Sequence, residues 1–156
     1  MLDIYLQDAL VEEVKSVLSG YHSWNKKKEY SVVNVYAQEL PKKRTKEEKE
    51  PFPYVLVCLD EENIVDIESD FNVKIYFLIG TYDDDAECQG HRDVLNISNK
   101  IYQHFVQKRF IQDRYKIIYP INIKLQTENE TFPYYYGVLF TNWKLEKMEQ
   151  EEDEFI

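Results

Sequence analysis

Apolar positions along the chain recur with two periods, and each predicts its own kind of element. Over residues 2–18, Leu2, Leu6, Leu10, Val14 and Val17 fall at spacings of three and four, with Glu12, Glu13 and Lys15 off that stripe. This predicts an amphipathic helix that stops near Gly20. A second helix is predicted over about residues 90–108, where Val94, Ile97, Ile101 and Phe105 share a stripe flanked by Leu95 and Tyr102. Elsewhere the period is two, as in a strand. Residues 31–39 alternate weakly, and 54–60 form an apolar run of the kind that makes a buried strand. In 72–80, Val73, Ile75, Phe77 and Ile79 face one way and Lys74 and Tyr76 the other. In 114–126, Tyr115, Ile117, Tyr119, Ile121, Ile123 and Leu125 share a face, and Pro120, which has no N–H to donate, marks an edge, bulge or bend. A last strand runs from about Tyr134 to Leu145. Two helices that do not alternate regularly with the strands predict an α+β fold: a mainly antiparallel sheet of about five strands with the two helices packed on it.

At 156 residues, a single domain spanning 1–145 is expected. It is interrupted by a polar segment at about 41–53, which runs from Lys42, Lys43 and Arg44 to Glu50 between prolines and is expected to be a mobile surface loop. Residues 146–156 are acidic, lack a core pattern and are expected to fray. No stretch is long and apolar enough to span a membrane, and the N-terminus lacks the basic start and apolar core of a secretory signal, so synthesis in the cytoplasm is expected. Cys58 belongs to an apolar run and is expected in the core, Cys88 in a loop, and no disulfide is expected between them.

Net charge is −10 and uneven: residues 1–50 hold nine acidic and nine basic side chains, and 51–156 hold twenty and ten. Such a surface repels phosphate, which argues against a protein that grips nucleic acid and is compatible with one that DNA passes. Candidate chemistry is sparse. Asp83, Asp84 and Asp85 are adjacent, whereas a calcium loop needs ligands at alternate positions, so they are expected to serve as an acidic approach to the second helix. His91, Arg92 and Asp93 point in different directions in a first helical turn and do not converge on one substrate atom. Asp93 is expected to serve the free N–H groups of that turn, with Gly90 at the helix start, and Arg92 to anchor a carboxylate. His22 and His104 have no partners at ligand spacing, and four glycines cannot build a phosphate-cradling loop. No catalytic residue, metal or cofactor is expected.

The ordered landmarks Pro53-Tyr54-Val55-Leu56-Val57, Val73 to Gly80, Gly90-His91-Arg92-Asp93, Tyr119-Pro120-Ile121, Pro133-Tyr134-Tyr135-Tyr136-Gly137 and Trp143 cover about residues 51–145. In order and spacing they resemble the tail-terminator proteins of long-tailed phages with non-contractile tails. The resemblance implies a non-enzymatic virion protein, made in the bacterial host. It would assemble as a homo-hexameric ring on the head-proximal end of the tail tube, stop tube growth and offer head-completion proteins a docking surface. Its partners would be the tail-tube and head-completion proteins, with DNA passing through without specific binding and no membrane contact. The subunit or partner interface is expected on the exposed side of the last strand near Tyr135 and Trp143, with Arg92 as a charged contact. The alternatives are a head-completion or adaptor protein of the phage neck, and a protein-binding module outside phages. The Lys/Glu loop at 42–50 is not expected of the family.

Overall fold

The first helical stripe forms α1, Leu2–Val17, and the second forms α2, His91–Gln107, in a computed structural model that describes residues 2–24, 30–42, 51–63, 71–128 and 130–145. Of the loop expected over about 41–53, with its Lys/Glu run at 42–50, residues 43–50 lie outside the described residues, as does the expected acidic tail, 146–156, while Phe52 and Pro53 are buried. Strands β1 (His22–Trp24) and β2 (Tyr30–Val32) make a small antiparallel pair. The main sheet contains β3 (Asn34–Ala37), β4 (Tyr54–Asn63), β5 (Phe71–Tyr82), β6 (Phe110–Ile111), β7 (Tyr115–Leu125) and β8 (Tyr134–Leu145). Its order is β3-β4-β5-β8-β7-β6. Among the described residues only β3 and β4 run parallel; the other neighbour pairs are antiparallel.

The fold is therefore α+β with a mostly antiparallel sheet, but the expected five strands become six plus a separate pair. Two local causes account for the difference. The segment expected as one strand over 31–39 breaks at Val33, so that β2 pairs back onto β1 and β3 pairs forward onto β4. Asn34 fixes that break: its backbone N–H donates to the Pro53 carbonyl at 3.0 Å and its side-chain Nδ2 to the Pro51 carbonyl at 2.9 Å. The second cause is β6, whose two residues are too short to show a period.

Both helices cover one face of the sheet, α1 against β3 and β4, α2 against β5, β7 and β8. Val94, Ile97, Ile101 and Phe105 of α2 are all fully buried. Each contributes roughly 1.5–3 kcal/mol by burial, far more than the few tenths that separate helix propensities, so packing holds α2 in place. They meet Val73, Ile75, Phe77 and Ile79 of β5, the face that the alternation assigned to the interior. Phe105 stacks near Phe77 at 6.2 Å and meets Trp143 edge-on at 5.2 Å.

Thr141 and Gln7 bring paired polar groups into this core. Thr141 donates to the Ile75 carbonyl at 2.7 Å and accepts from the Trp143 indole at 2.9 Å. Gln7, buried on α1, donates from Nε2 to the Val57 carbonyl at 2.8 Å and to Gln38 Oε1 at 3.0 Å, pinning the helix to β4 and to the turn after β3. At the helices' outer side, Glu13 of α1 accepts from Lys108 at 2.8 Å and lies 2.7 Å from Nε2 of His104, joining α1 to the end of α2.

Candidate interaction surface

Strand parity sends the other half of each sheet residue to the face opposite the helices. On β4 these are Tyr54, Leu56 and Cys58; on β5, Lys74, Tyr76, Leu78 and Tyr82; on β8, Tyr134, Tyr136, Val138 and Phe140. This face carries a second apolar cluster, closed at one end by Phe52, Leu40 and Tyr36. Phe52 is its hub, with ring centroids 5.0 Å from Tyr54, 4.9 Å from Tyr134 and 6.3 Å from Tyr136. Tyr82 meets Tyr134 at 5.6 Å, and Tyr76 approaches Phe140 at 6.2 Å. Gly80 lies under the Tyr54 ring, where any Cβ would collide with it.

The face is aromatic and uncharged at neutral pH around Phe52. Burial pushes the Tyr54 hydroxyl up to about 12, with Tyr136 adding to the shift. Burial also raises the Cys58 thiol, and the neighbouring Cys58 raises the Tyr76 hydroxyl. Cations stand at the opposite end: Lys116 and Lys144 sit opposite each other across β7 and β8, with Lys74 on β5 opposite Asn142, while Lys124 on β7 shares their side of the sheet but lies opposite Val138, toward the aromatic end. Lys74 pairs with Glu61 at 3.4 Å. Sequence reasoning missed this grouping, although the polar parity of the alternating strands carries it.

One edge of the sheet is open. Among the described residues β6 covers β7 only at Tyr115 and Lys116, so β7 beyond that point has no strand on its outer side. Here the pairing with β8 slips: Ile118 sits opposite Asn142 but Asn122 opposite Phe140. Pro120 lies inside this bulge, as its missing N–H required, and its carbonyl accepts from Asn142 Nδ2 at 2.9 Å. The bulge changes the expected burial of β7. Tyr119 is 64% exposed, and Ile123, although opposite Leu139 on the helix side, is 38% exposed. Phe140, on the outer face of β8, is also 38% exposed.

The structure corrects the expected interface residues. Trp143 is fully buried and belongs to the core, because it shares the parity of Leu139 and Thr141 and sits opposite Val73 and Ile117. Tyr135 has the same parity, so it faces the helix side: its ring lies where a Cβ on Gly90 would be, and its hydroxyl is buried with no hydrogen-bond partner. Burial raises that hydroxyl above the ordinary tyrosine range. Arg92 is exposed in the first turn of α2 and has no ion-pair partner among the described residues. Gly90 is the N-cap, and being glycine it offers no side-chain cap. Asp93 is in the first turn, where its carboxylate accepts from the Tyr21 hydroxyl at 3.4 Å.

The acidic loop is held by its own backbone. Asp83 accepts from the Asp85 N–H at 3.0 Å, and Asp85 from the Glu87 N–H at 2.9 Å. Among the described residues no three His, Cys, Asp or Glu side chains are grouped to hold a metal ion. Cys58 is buried in β4, Cys88 is exposed in the loop, and both are free thiols. No helix among the described residues is long and apolar enough to cross a membrane. No protein-family model matches the chain, and no curated protein matches it in sequence.

Proposed function

We propose that this chain is a non-catalytic structural protein of a long-tailed phage. In this reading it forms a hexameric ring that caps the head-proximal end of the tail tube and joins the tube to the head. The observation that carries the reading is the ordered set of landmarks over residues 51–145. In the fold they fall at junctions: Pro53 to Val57 enters β4, Gly90 to Asp93 opens α2, Tyr119 to Ile121 makes the β7 bulge, and Pro133 to Gly137 enters β8.

A ring needs two different, complementary patches on each subunit. The open edge of β7, with Tyr119 and Ile123, supplies the apolar strand edge of one such patch. The excess of carboxylates over residues 51–156 supports a conduit that exerts no hold on passing DNA. Light scattering on chromatographed protein, with electron microscopy of isolated tail tubes mixed with it, tests the proposal. Six-fold rings in solution or on one tube end are expected. A strict monomer that ignores tube ends overturns it, and rings that bind portals but not tubes move the protein to the head side of the neck.

A further inference from the structure

A cavity of about 210 Å³ opens where α2 ends against β7. Phe105, Ile117 and Ile121 line its apolar part, and Arg109, Lys116 and Tyr119 its remainder. It is smaller than the pockets that enclose whole metabolites, and suits one large side chain delivered by a protein surface. Its lining holds two cations and no carboxylate. Lys116 stands over the Phe110 ring at 5.7 Å, and neither it nor Arg109 has an ion-pair partner among the described residues. The complement to such a site is an exposed aromatic residue set among carboxylates.

The far end of the same sheet presents one. Phe132 is 41% exposed just ahead of β8. The Asp83 N–H donates to the carbonyl of its neighbour Pro133 at 2.9 Å, which holds the acidic loop after β5 beside it. Asp84, Asp85 and Glu87 of that loop, and Glu128 and Glu130 ahead of Phe132, are exposed. Residues 82–90 and 126–136 together contain six acidic side chains and no lysine or arginine. A subunit cannot bring this end onto its own cavity. Lys116 sits opposite Lys144 at one end of β8, and Phe132 precedes Tyr134 at the other, roughly 30 Å away along the strand. We propose that two copies of this chain join head to tail through these ends, with Phe132 of one copy filling the apolar part of the next copy's cavity and the surrounding carboxylates meeting Arg109 and Lys116. Because the two patches differ, every dimer keeps one of each unused, and the contact propagates until it closes on itself. The inference rests on the ring reading only for that closure. To the open β7 edge, which shares Tyr119 with the cavity, it adds the second patch that a ring requires.

Sedimentation velocity on the full chain over a range of concentrations tests this. Assemblies larger than a dimer are expected at low salt, and they should dissociate as salt is raised, because the charges involved are exposed to solvent. Phe132→Ser and Arg109→Glu/Lys116→Glu should each weaken self-association by about tenfold or more. Each of these variants keeps one sound patch, so an equimolar mixture should form a one-to-one dimer that grows no further. Glu128→Lys/Glu130→Lys, which alters only exposed side chains, should weaken association likewise and stands in where the Arg109/Lys116 variant fails to fold. Assembly unchanged in Phe132→Ser and in Glu128→Lys/Glu130→Lys overturns the contact and leaves the ring reading to other surfaces. A mixture of the two folded, complementary variants that stays monomeric overturns it as well. So does an unaltered chain that is monomeric at low salt at every concentration; if that chain still caps tube ends, the ring reading survives and this contact does not. Assembly that responds to the variants as expected, in a protein that ignores tube ends, upholds the contact and removes the tail assignment alone.

Discussion

Trp143 shows how far one residue's role depends on the parity of its strand. Its indole fills the centre of the core, edge-on to Phe105, and donates to Thr141, whose own hydroxyl reaches the Ile75 carbonyl. Removing the ring leaves a cavity between α2 and the sheet, so Trp143→Ala should destabilise the fold by about 3–5 kcal/mol, measured by urea denaturation. A change below about 1 kcal/mol would return this residue to the surface and to an interface role. Gly90 is a second such point. Its backbone, φ −63° and ψ −19°, suits any residue, so the cost of Gly90→Ala is steric alone. The new Cβ would meet the Tyr135 ring and approach Asp83 Cβ at 3.0 Å. Overpacking of this kind costs about 1–3 kcal/mol, and the companion change Tyr135→Leu should recover part of it by shortening the obstructing side chain.

At the scale of elements, the link between the helices makes a pH-dependent prediction. The Glu13 carboxyl is held below its ordinary value, first by its hydrogen bond to Lys108, with His104 assisting against the opposing effect of burial. A carboxyl depressed in the folded state adds stability above its unfolded value, and loses it as pH falls through the folded one. Lys108 is 54% exposed, so solvent screening limits the contribution to at most about 1 kcal/mol. Glu13→Gln should therefore cost stability at pH 7, and the difference from the unaltered protein should shrink as pH falls below the ordinary carboxylate range, on denaturation curves at neutral and acid pH. An equal difference at both pH values would mean that Glu13 acts by shape rather than charge. What the sequence made legible follows from how long each pattern persists. The α2 stripe repeats over four turns, and β5 alternates without interruption, so both elements and their buried faces are as expected. In β7 the alternation implied one continuous buried face, but the bulge around Pro120 leaves Tyr119 and Ile123 exposed. The α+β class survives that local error because it rests on the order of elements rather than on any one register. In β8 the sequence offered no face at all. Tyr134, Tyr135 and Tyr136 are consecutive, and large apolar groups lie on both sides of the strand, so only the pairing with β5 decides which are buried.

At the scale of the whole molecule, the ring reading places the first patch of contact on the open edge of β7, so Ile123→Lys should block assembly while leaving the fold intact. Ile123 is already 38% exposed, and charge there costs little in the monomer. Light scattering that still reports hexamers for this variant would remove β7 from the interface. The passage of DNA makes the sharper test, because the fold adds something that net charge did not show. Lys74, Lys116 and Lys144 lie near one end of the sheet face directed away from the helices, and Lys124 lies farther along β7 on the same side. Four lysines can neutralise at most about four phosphates, and such binding weakens steeply between 50 and about 200 mM salt. Lys74 is already paired with Glu61, and the net charge of −10 opposes long-range attraction of DNA. The expected outcome is weak binding of a labelled oligonucleotide at 50 mM salt or below, and none measurable by fluorescence anisotropy at physiological salt. Micromolar binding at physiological salt that disappears in Lys116→Ala/Lys124→Ala/Lys144→Ala would make this face a nucleic-acid site and end the passive-conduit reading. The same binding lost instead on replacing Lys42, Lys43 and Arg44 with alanine would end it equally, and would assign the contact to the basic run ahead of β4.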